Sequence, residues 1–387
     1  MKKFLLYLPY SEFIDSYGHK ALGGIPLGFV QARYDTIMIV GIMKSAQFRK
    51  NNIKIYETGN LDDKYVLEEG TTKRKIIPRI RNILNFNEYK KVYGILKKEK
   101  PDIFMSYNNS TLTPFILWRY KLFCKFHGIA TKLILKLDND GSDVEGIQGV
   151  RKLSVSLYYR MLGHVFDDVI TETSCGFDIF GKFKGIAKKI RTVPNTVSDD
   201  FLNNNKKTFD KTIISVSRIT PVKGIDRLIC AFKPIAAKYP DWNLQIIGSI
   251  DDKTYYNRLV DLIHSYNLET RISFTGEKSR EELIKIYKSA SIFCLFSNHE
   301  SFAISRLEAI SMGLYIITSD AGCARDLMRF GIHIMDNNTI ECGSKCIEKG
   351  IVTIESGRFV PNKLKIPSYR ELSLQISTDF RKQDDSS

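Results

Sequence analysis

Short apolar runs rich in β-branched and aromatic residues alternate with longer stretches of helical periodicity, and this alternation constrains the fold more than any other feature. Phe4–Leu8, Thr36–Ile42, Asp102–Tyr107, Lys132–Leu137, Val165–Thr171 and Ile190–Val193 read as strands of a first half. Thr212–Ser217, Trp242–Ile247, Ile272–Thr275, Ser291–Phe296 and Leu314–Thr318 read as strands of a second. Between them, Ile225–Lys238 places apolar residues at 225, 228, 229, 232, 235 and 236, which is one buried helix face. Apolar strands separated by amphipathic helices form parallel sheets covered by helices on both faces. The expected fold class is therefore α/β, with two doubly wound, Rossmann-like sheets.

A chain of 387 residues is long for one core and ample for two. The polar run Asn203–Lys207 follows the turn signal Pro194-Asn195 and reads as the linker. That places domains at 1–205 and 206–365. It leaves 366–387 for a last helix, Ser368–Lys382, and a polar tail, with a return onto the first domain left open. No apolar run reaches the roughly 20 residues that cross a bilayer. The opening Met1–Leu8 imitates an export signal, but Pro9 ends it, and it reads as a buried strand. Seven cysteines without a CxxC pair point to reduced thiols in a cytoplasmic setting. The formal charge of +15 fits phosphate-bearing substrates or an anionic membrane; nucleic acid fits less well, because no nucleic-acid module accompanies it.

Two loops carry the chemistry. Ser217–Gly224 follows a strand and opens the helix at Ile225, where open α/β sheets bind ligands. Arg218, a planar fork, and Lys223, a point charge, could clamp two phosphates there, although a lone basic turn reads equally as ordinary surface. The second loop, Asn298–Gly313, contains Glu300 and Glu308 eight residues apart. A helix starting near Ala303 would aim the N–H groups of Phe302, Ala303 and Ile304 at an anion.

In this order the motifs resemble the C-terminal domain of the family 4 glycosyltransferases, retaining enzymes of GT-B architecture. The family's Glu-x7-Glu is matched by Glu300 and Glu308, and its Arg…Lys-Gly loop by Arg218 and Lys223-Gly224. Ile272–Glu277 is similar to the segment bordering the nucleobase, bringing in Gly276 and Glu277, and Ser319–Gly322 to the turn after the donor helix. The resemblance covers 212–328. It implies a catalytic set of Glu300, Arg218, Lys223 and Asp138. It also implies a donor-binding set of Gly24, Gly276, Glu277, Ser301, Phe302, Ala303, Ile304 and Glu308. Asp138 ends a strand where related enzymes touch the donor sugar, and Gly23-Gly24 stands where they carry a phosphate-facing loop ahead of a helix at Ile25–Arg33. The family usually has Gly-Phe-Gly after the first glutamate, whereas this chain has Ser301-Phe302-Ala303; any left-handed position there is strained by a side chain.

The implied activity is transfer of a hexosyl-type sugar from a nucleoside diphosphate sugar to a glycan or lipid-linked acceptor, without cofactor or metal. A rival reading makes Asp138-Asn139-Asp140 a divalent-cation site. Others are a donor-binding subunit without catalysis, motivated by Ser301 and Ala303, and a nucleotide-sugar epimerase. Basic stretches at Lys73–Arg81, Arg119–Lys136 and Lys182–Arg191 point to an anionic membrane as partner, peripheral at the inner face of the cell membrane. Arg151–Phe166 reads as an amphipathic helix, either packed inward or lying on that membrane.

Overall fold

The alternation resolves into two parallel sheets in a computed structural model, which describes residues 1–9, 11–59, 85–108, 112–138, 141–142, 144–202 and 209–378. The linker at Asn203–Lys207, the basic stretch Lys73–Arg81, Asn139, Asp140 and the tail Lys382–Ser387 lie outside these residues. One unit comprises Met1–Thr196 together with the chain from Pro367 onward; the other is Val197–Ile366. The division falls earlier than the polar run at 203. Val197 and Phe201 are both 1% exposed in the core of the second unit, where the Phe201 ring meets Tyr287 edge-on at 5.6 Å.

The first unit has strands β1 (Lys3–Tyr7), β2 (Asp35–Val40), β3 (Ile53–Glu57), β4 (Ile103–Tyr107), β5 (Lys132–Leu137), β6 (Asp168–Thr171) and β7 (Ile190–Thr192). They pair in the order β3-β2-β1-β4-β5-β6-β7, all parallel. Its helices are α1 (Ala21–Gln31), α2 (Phe86–Glu99), α3 (Thr113–Phe126), α4 (Gly149–Val165) and α5 (Ser174–Gly181). Successive strand residues face opposite ways, so Leu5 and Tyr7 join the core beneath α2–α4, whereas Phe4 and Leu6 join the core beneath α1. The strand expected at Val165–Thr171 is shorter, because Val165 still belongs to α4.

The second unit carries β8 (Thr212–Val216), β9 (Asn243–Ile247), β10 (Ile272–Gly276), β11 (Ile292–Leu295), β12 (Tyr315–Thr318) and β13 (His333–Ile334). Their order is β10-β9-β8-β11-β12-β13. Its helices are α6 (Ile225–Lys238), α7 (Lys253–Ser265), α8 (Arg280–Ser289), α9 (Ile304–Ser311) and α10 (Ile340–Glu355). Helices α6, α7 and α10 cover one face of the sheet, and α8 and α9 the other.

The last helix, α11 (Tyr369–Ser377), belongs to the first unit. Ser368 and Glu371 close a capping box at its start. Its Ser373 Oγ donates to the Ile25 carbonyl of α1 at 2.9 Å. At its far end Arg191, paired with Asp168 at 2.8 Å, donates to the carbonyls of Gln375 and Ile376, both at 3.1 Å. A cation at a helix C-terminus satisfies orphan carbonyls and complements the dipole.

Candidate active site

In the second unit the chain leaves β8 in one direction, builds β9 and β10, and returns to β8's other side as β11. The crevice at the carboxyl ends of β8 and β11 is thus the switch point of the sheet. The loops after these strands meet there. The Asn298 N–H donates to the Val222 carbonyl at 2.8 Å, and Lys223 Nζ donates to Glu300 Oε1 at 2.8 Å. The same oxygen accepts from Ser297 Oγ at 2.6 Å. Glu300 is 7% exposed, so its carboxylate is largely buried, while the Lys223 side chain keeps 14% exposure. Gly224 makes the approach possible. It sits at φ 61°, and a Cβ there would lie 2.3 Å from the Phe296 carbonyl oxygen.

A third loop, after β12, braces Glu300 from below. Gly322 is at φ 61°, and a Cβ on it would stand 2.8 Å from the carbonyl oxygens of both Glu300 and Ser301. Ser319 Oγ donates to the Ser297 carbonyl at 2.6 Å, and Cys323 Sγ to that of Phe302 at 2.7 Å. Arg306, between the two glutamates on α9, is fully buried. Nη1 and Nη2 both donate to the Ala321 carbonyl at 3.2 Å, and Nε finds no partner among the described residues. Burial pulls the Arg306 pKa below the guanidinium's usual value, against the neighbouring Cys323 and Glu300.

Ala303 caps α9 at φ 62°, ψ 70°, in the left-handed region. A side chain there costs roughly 1–2 kcal/mol. The strain expected from the alanine is therefore present, and the turn keeps its left-handed form despite it. Ala303 has no polar side chain to cap α9, although its carbonyl accepts from the Arg306 N–H at 3.0 Å. Ser301 and Phe302 lie on the same turn, Phe302 buried at 4% exposure. Glu308 lies about one helical turn into α9, where Tyr287 Oη donates to its Oε2 at 3.2 Å.

The other expected site residues have surroundings of their own. Arg218 is two-thirds exposed and paired with Asp251 at 3.0 Å. Gly276 closes β10 at φ 71° with open space where a Cβ would be, and Glu277 beside it is exposed. Asp138 belongs to the first unit, directly after β5. Its N–H donates to Asn108 Oδ1 at 3.0 Å, and its carboxyl hydrogen-bonds Glu172 and Tyr107. Lys136 Nζ is ion-paired with Glu172, both nearly sealed from solvent. Burial, then the Glu172 charge, pushes the Asp138 pKa up to about 8.

Gly24 requires a correction. It lies inside α1, not on a loop, because the helix starts at Ala21 rather than Ile25. A Cβ on Gly24 would stand 2.2–2.5 Å from the Tyr369 ring of α11. Its smallness seats one helix on another. Conversely, sequence reasoning missed Ser297, Arg306, Tyr287 and Glu172. Only Ser297 carried a signal, as the hydroxyl three residues before Glu300.

Residues 198–348 match the family described as glycosyl transferases group 1. An uncharacterized glycosyltransferase of Haemophilus influenzae is 35% identical over 126 residues, 32% of this chain and 33% of that protein. One of Methanocaldococcus jannaschii is 28% identical over 246 residues, covering 59% of this chain and 58% of that one. The matches thus span from a third to under two thirds of these relatives' length. Among solved structures, a glycosyltransferase of Rickettsia africae superposes with a TM-score of 0.64 at 16% identity, over 97% of this chain and 92% of that one. HepE of Anabaena, solved with UDP and glucose, does so with 0.62 at 13% identity over 99% of both. The sheets, the switch point and these matches agree: the C-terminal unit belongs to the group 1, family 4 glycosyltransferases, in a chain of GT-B architecture.

Proposed function

We propose that this protein transfers a hexosyl-type sugar, with retention of configuration, from a nucleoside diphosphate sugar to a glycan or lipid-linked acceptor. The observation carrying this reading is the Lys223–Glu300 pair beside the N-terminus of α9, at the switch point of the second sheet. In the reaction the bond from the anomeric carbon to the diphosphate oxygen breaks, and the acceptor oxygen bonds to the same face. The acceptor's proton passes to the departing phosphate. Positive charge grows on the sugar ring and negative charge on the diphosphate. Lys223, Arg218 and the α9 N–H groups stabilise the diphosphate, an electrostatic effect that is usually the largest catalytic one. Glu300 holds the sugar and Glu308 the ribose, which is positioning rather than proton transfer. For Asp138 the family resemblance implies a contact with the donor sugar. Gly276 and Glu277 border the base, and Ser301 and Phe302 line the donor turn. The UDP and glucose bound to HepE support a uridine donor.

Because these groups neutralise the phosphates, turnover is expected to be independent of metal and of cofactor. A donor-binding subunit without catalysis is the weaker reading, since Ala303 keeps the turn left-handed in spite of its side chain. The test is calorimetric titration of UDP, followed by transfer from UDP-sugars with chelator present. Micromolar UDP binding and chelator-resistant transfer are expected. UDP binding without transfer or hydrolysis favours the subunit reading, epimerised donor in the absence of acceptor favours the epimerase, and a manganese requirement refutes the metal-free site.

A further inference from the structure

Helices α3 and α4 pack side by side on the first unit's sheet, and each has two apolar faces. Inward, Ile116, Leu117, Tyr120 and Cys124 of α3 and Tyr159, Leu162 and Val165 of α4 fill the core. Outward, Phe115, Trp118, Leu122 and Phe126 stand exposed on α3. Their spacing of three, four and four residues is one helix face. On α4, Val150, Leu153 and Leu157 repeat the pattern, at 85%, 72% and 65% exposure. Seven of the nineteen large apolar side chains exposed among the described residues thus stand on two adjacent helices. A contiguous apolar surface of this kind marks an interaction site.

Charge identifies the partner. Neither helix contains an aspartate or a glutamate, and together they carry Arg119, Lys121, Lys125, Arg151, Lys152 and Arg160. Lys121 is engaged by Asp167 at 2.8 Å, and Arg119 lies 4.6 Å from the centre of the Tyr93 ring. Lys125, Arg151, Lys152 and Arg160 are exposed beside the apolar stripes. Aromatic and aliphatic side chains flanked by cations match the interfacial zone of an anionic bilayer, where rings sit at headgroup depth and lysines meet phosphates. Among the described residues no helix is long and apolar enough to cross a membrane.

We propose that the outer face of α3 and α4 docks on an anionic lipid bilayer, with Trp118, Phe126, Leu153 and Leu157 entering the interface. The proposal rests on the transferase reading only for what is modified there; the surface itself is read from the two helices. It also separates the two alternatives for Arg151–Phe166: Leu162 and Val165 pack inward, while Leu153 and Leu157 face outward.

The test is flotation of the full chain with phosphatidylcholine vesicles, with and without phosphatidylglycerol. Binding is expected only with phosphatidylglycerol, weakened by salt as exposed attractions are screened. Brominated acyl chains should quench Trp118, whereas Trp242, 1% exposed, is shielded. The pair Trp118→Ser/Leu153→Ser, and separately Lys125→Glu/Arg151→Glu/Lys152→Glu, should each weaken vesicle affinity by roughly tenfold or more. Both variants should keep the parent's melting temperature and UDP affinity. Equal flotation with both vesicle types, variants that bind like the parent, or a change in self-association in place of vesicle binding would overturn the proposal. Vesicle binding that persists while the parent fails to bind UDP would sink the transferase reading and leave the docking surface standing.

Discussion

Each unit buries one lysine–glutamate pair at the carboxyl edge of its sheet, but the two pairs are set differently. In the second unit Lys223 and Glu300 retain 14% and 8% side-chain exposure and come from loops flanking adjacent strands. In the first unit Lys136 and Glu172 retain 2% and 3%, and Asp138 presses a second carboxyl against the same glutamate. A pair near solvent can exchange its partner for a ligand's phosphate at modest cost. A sealed pair cannot, because separating its charges leaves one uncompensated in a dry site. The open pair therefore suits binding, and the sealed pair suits holding a neighbour in place.

The sharpest way to break this contrast is to remove one charge from each pair and read stability. Glu172→Gln should lower unfolding stability by about 3–5 kcal/mol, because Lys136 is left buried with a neutral amide. Lys223→Met should cost less, because Ser297 Oγ still donates to Glu300, while abolishing UDP affinity. Chemical denaturation with calorimetry checks both, and equal losses would erase the distinction.

Within the second unit the two glutamates should fail differently. Glu300→Gln should reduce kcat by about 2–4 kcal/mol of transition-state stabilisation, roughly two to three decades. Glu308→Gln should mainly raise the donor KM, because the ribose changes little in the reaction. Steady-state kinetics on both variants decides. If neither moves turnover more than a fewfold, the site lies elsewhere.

Asp138 sharpens the contrast through pH. Its native pKa of about 8 stands above the roughly 4 of a free aspartate, so the native state binds this proton more tightly than the unfolded state. Stability contributed by the proton is present below about pH 4 and is lost as pH rises toward 8. Asp138→Asn cannot titrate. Melting curves of the variant and the parent should separate progressively between these limits and run parallel above them. Parallel curves throughout would show that Asp138 is not perturbed.

The smallest expected effect is at Ala303. Replacing it with glycine removes the left-handed strain and should raise stability by about 1 kcal/mol, measurable as a higher melting temperature. A loss would mean that the alanine methyl packs more favourably than its backbone is strained.

Most strands were legible because their interiors are largely apolar. Two were not: β13 has only two residues, and β3 reads Ile-Lys-Ile-Tyr-Glu. At the edge of the sheet, β3 leaves Lys54 and Glu57 exposed, and that broke the run. The donor loops were legible because each is contiguous in sequence. Glu172 was not, since only the pairing of β5 with β6 brings it beside Lys136. Arg306 was hidden for another reason: its position on an amphipathic helix is set by burial, which a guanidinium does not advertise. Gly24 misled because its neighbour, Tyr369, arrives from the other end of the chain.

That arrival has a consequence for how the protein is made. The first unit begins to emerge from the ribosome first, yet α11, which fills the notch at Gly24 and receives the donors of Arg191, is translated after the whole of Val197–Ile366. At about 5–20 residues per second, the notch on α1 waits some tens of seconds for its cover. The contiguous second unit can fold before the first is complete, so the order of folding reverses the order of synthesis. A nascent chain stalled before Pro367 would leave Gly24 and Gly28 of α1 without the helix that covers them, and the core without Tyr369, Leu372 and Ile376.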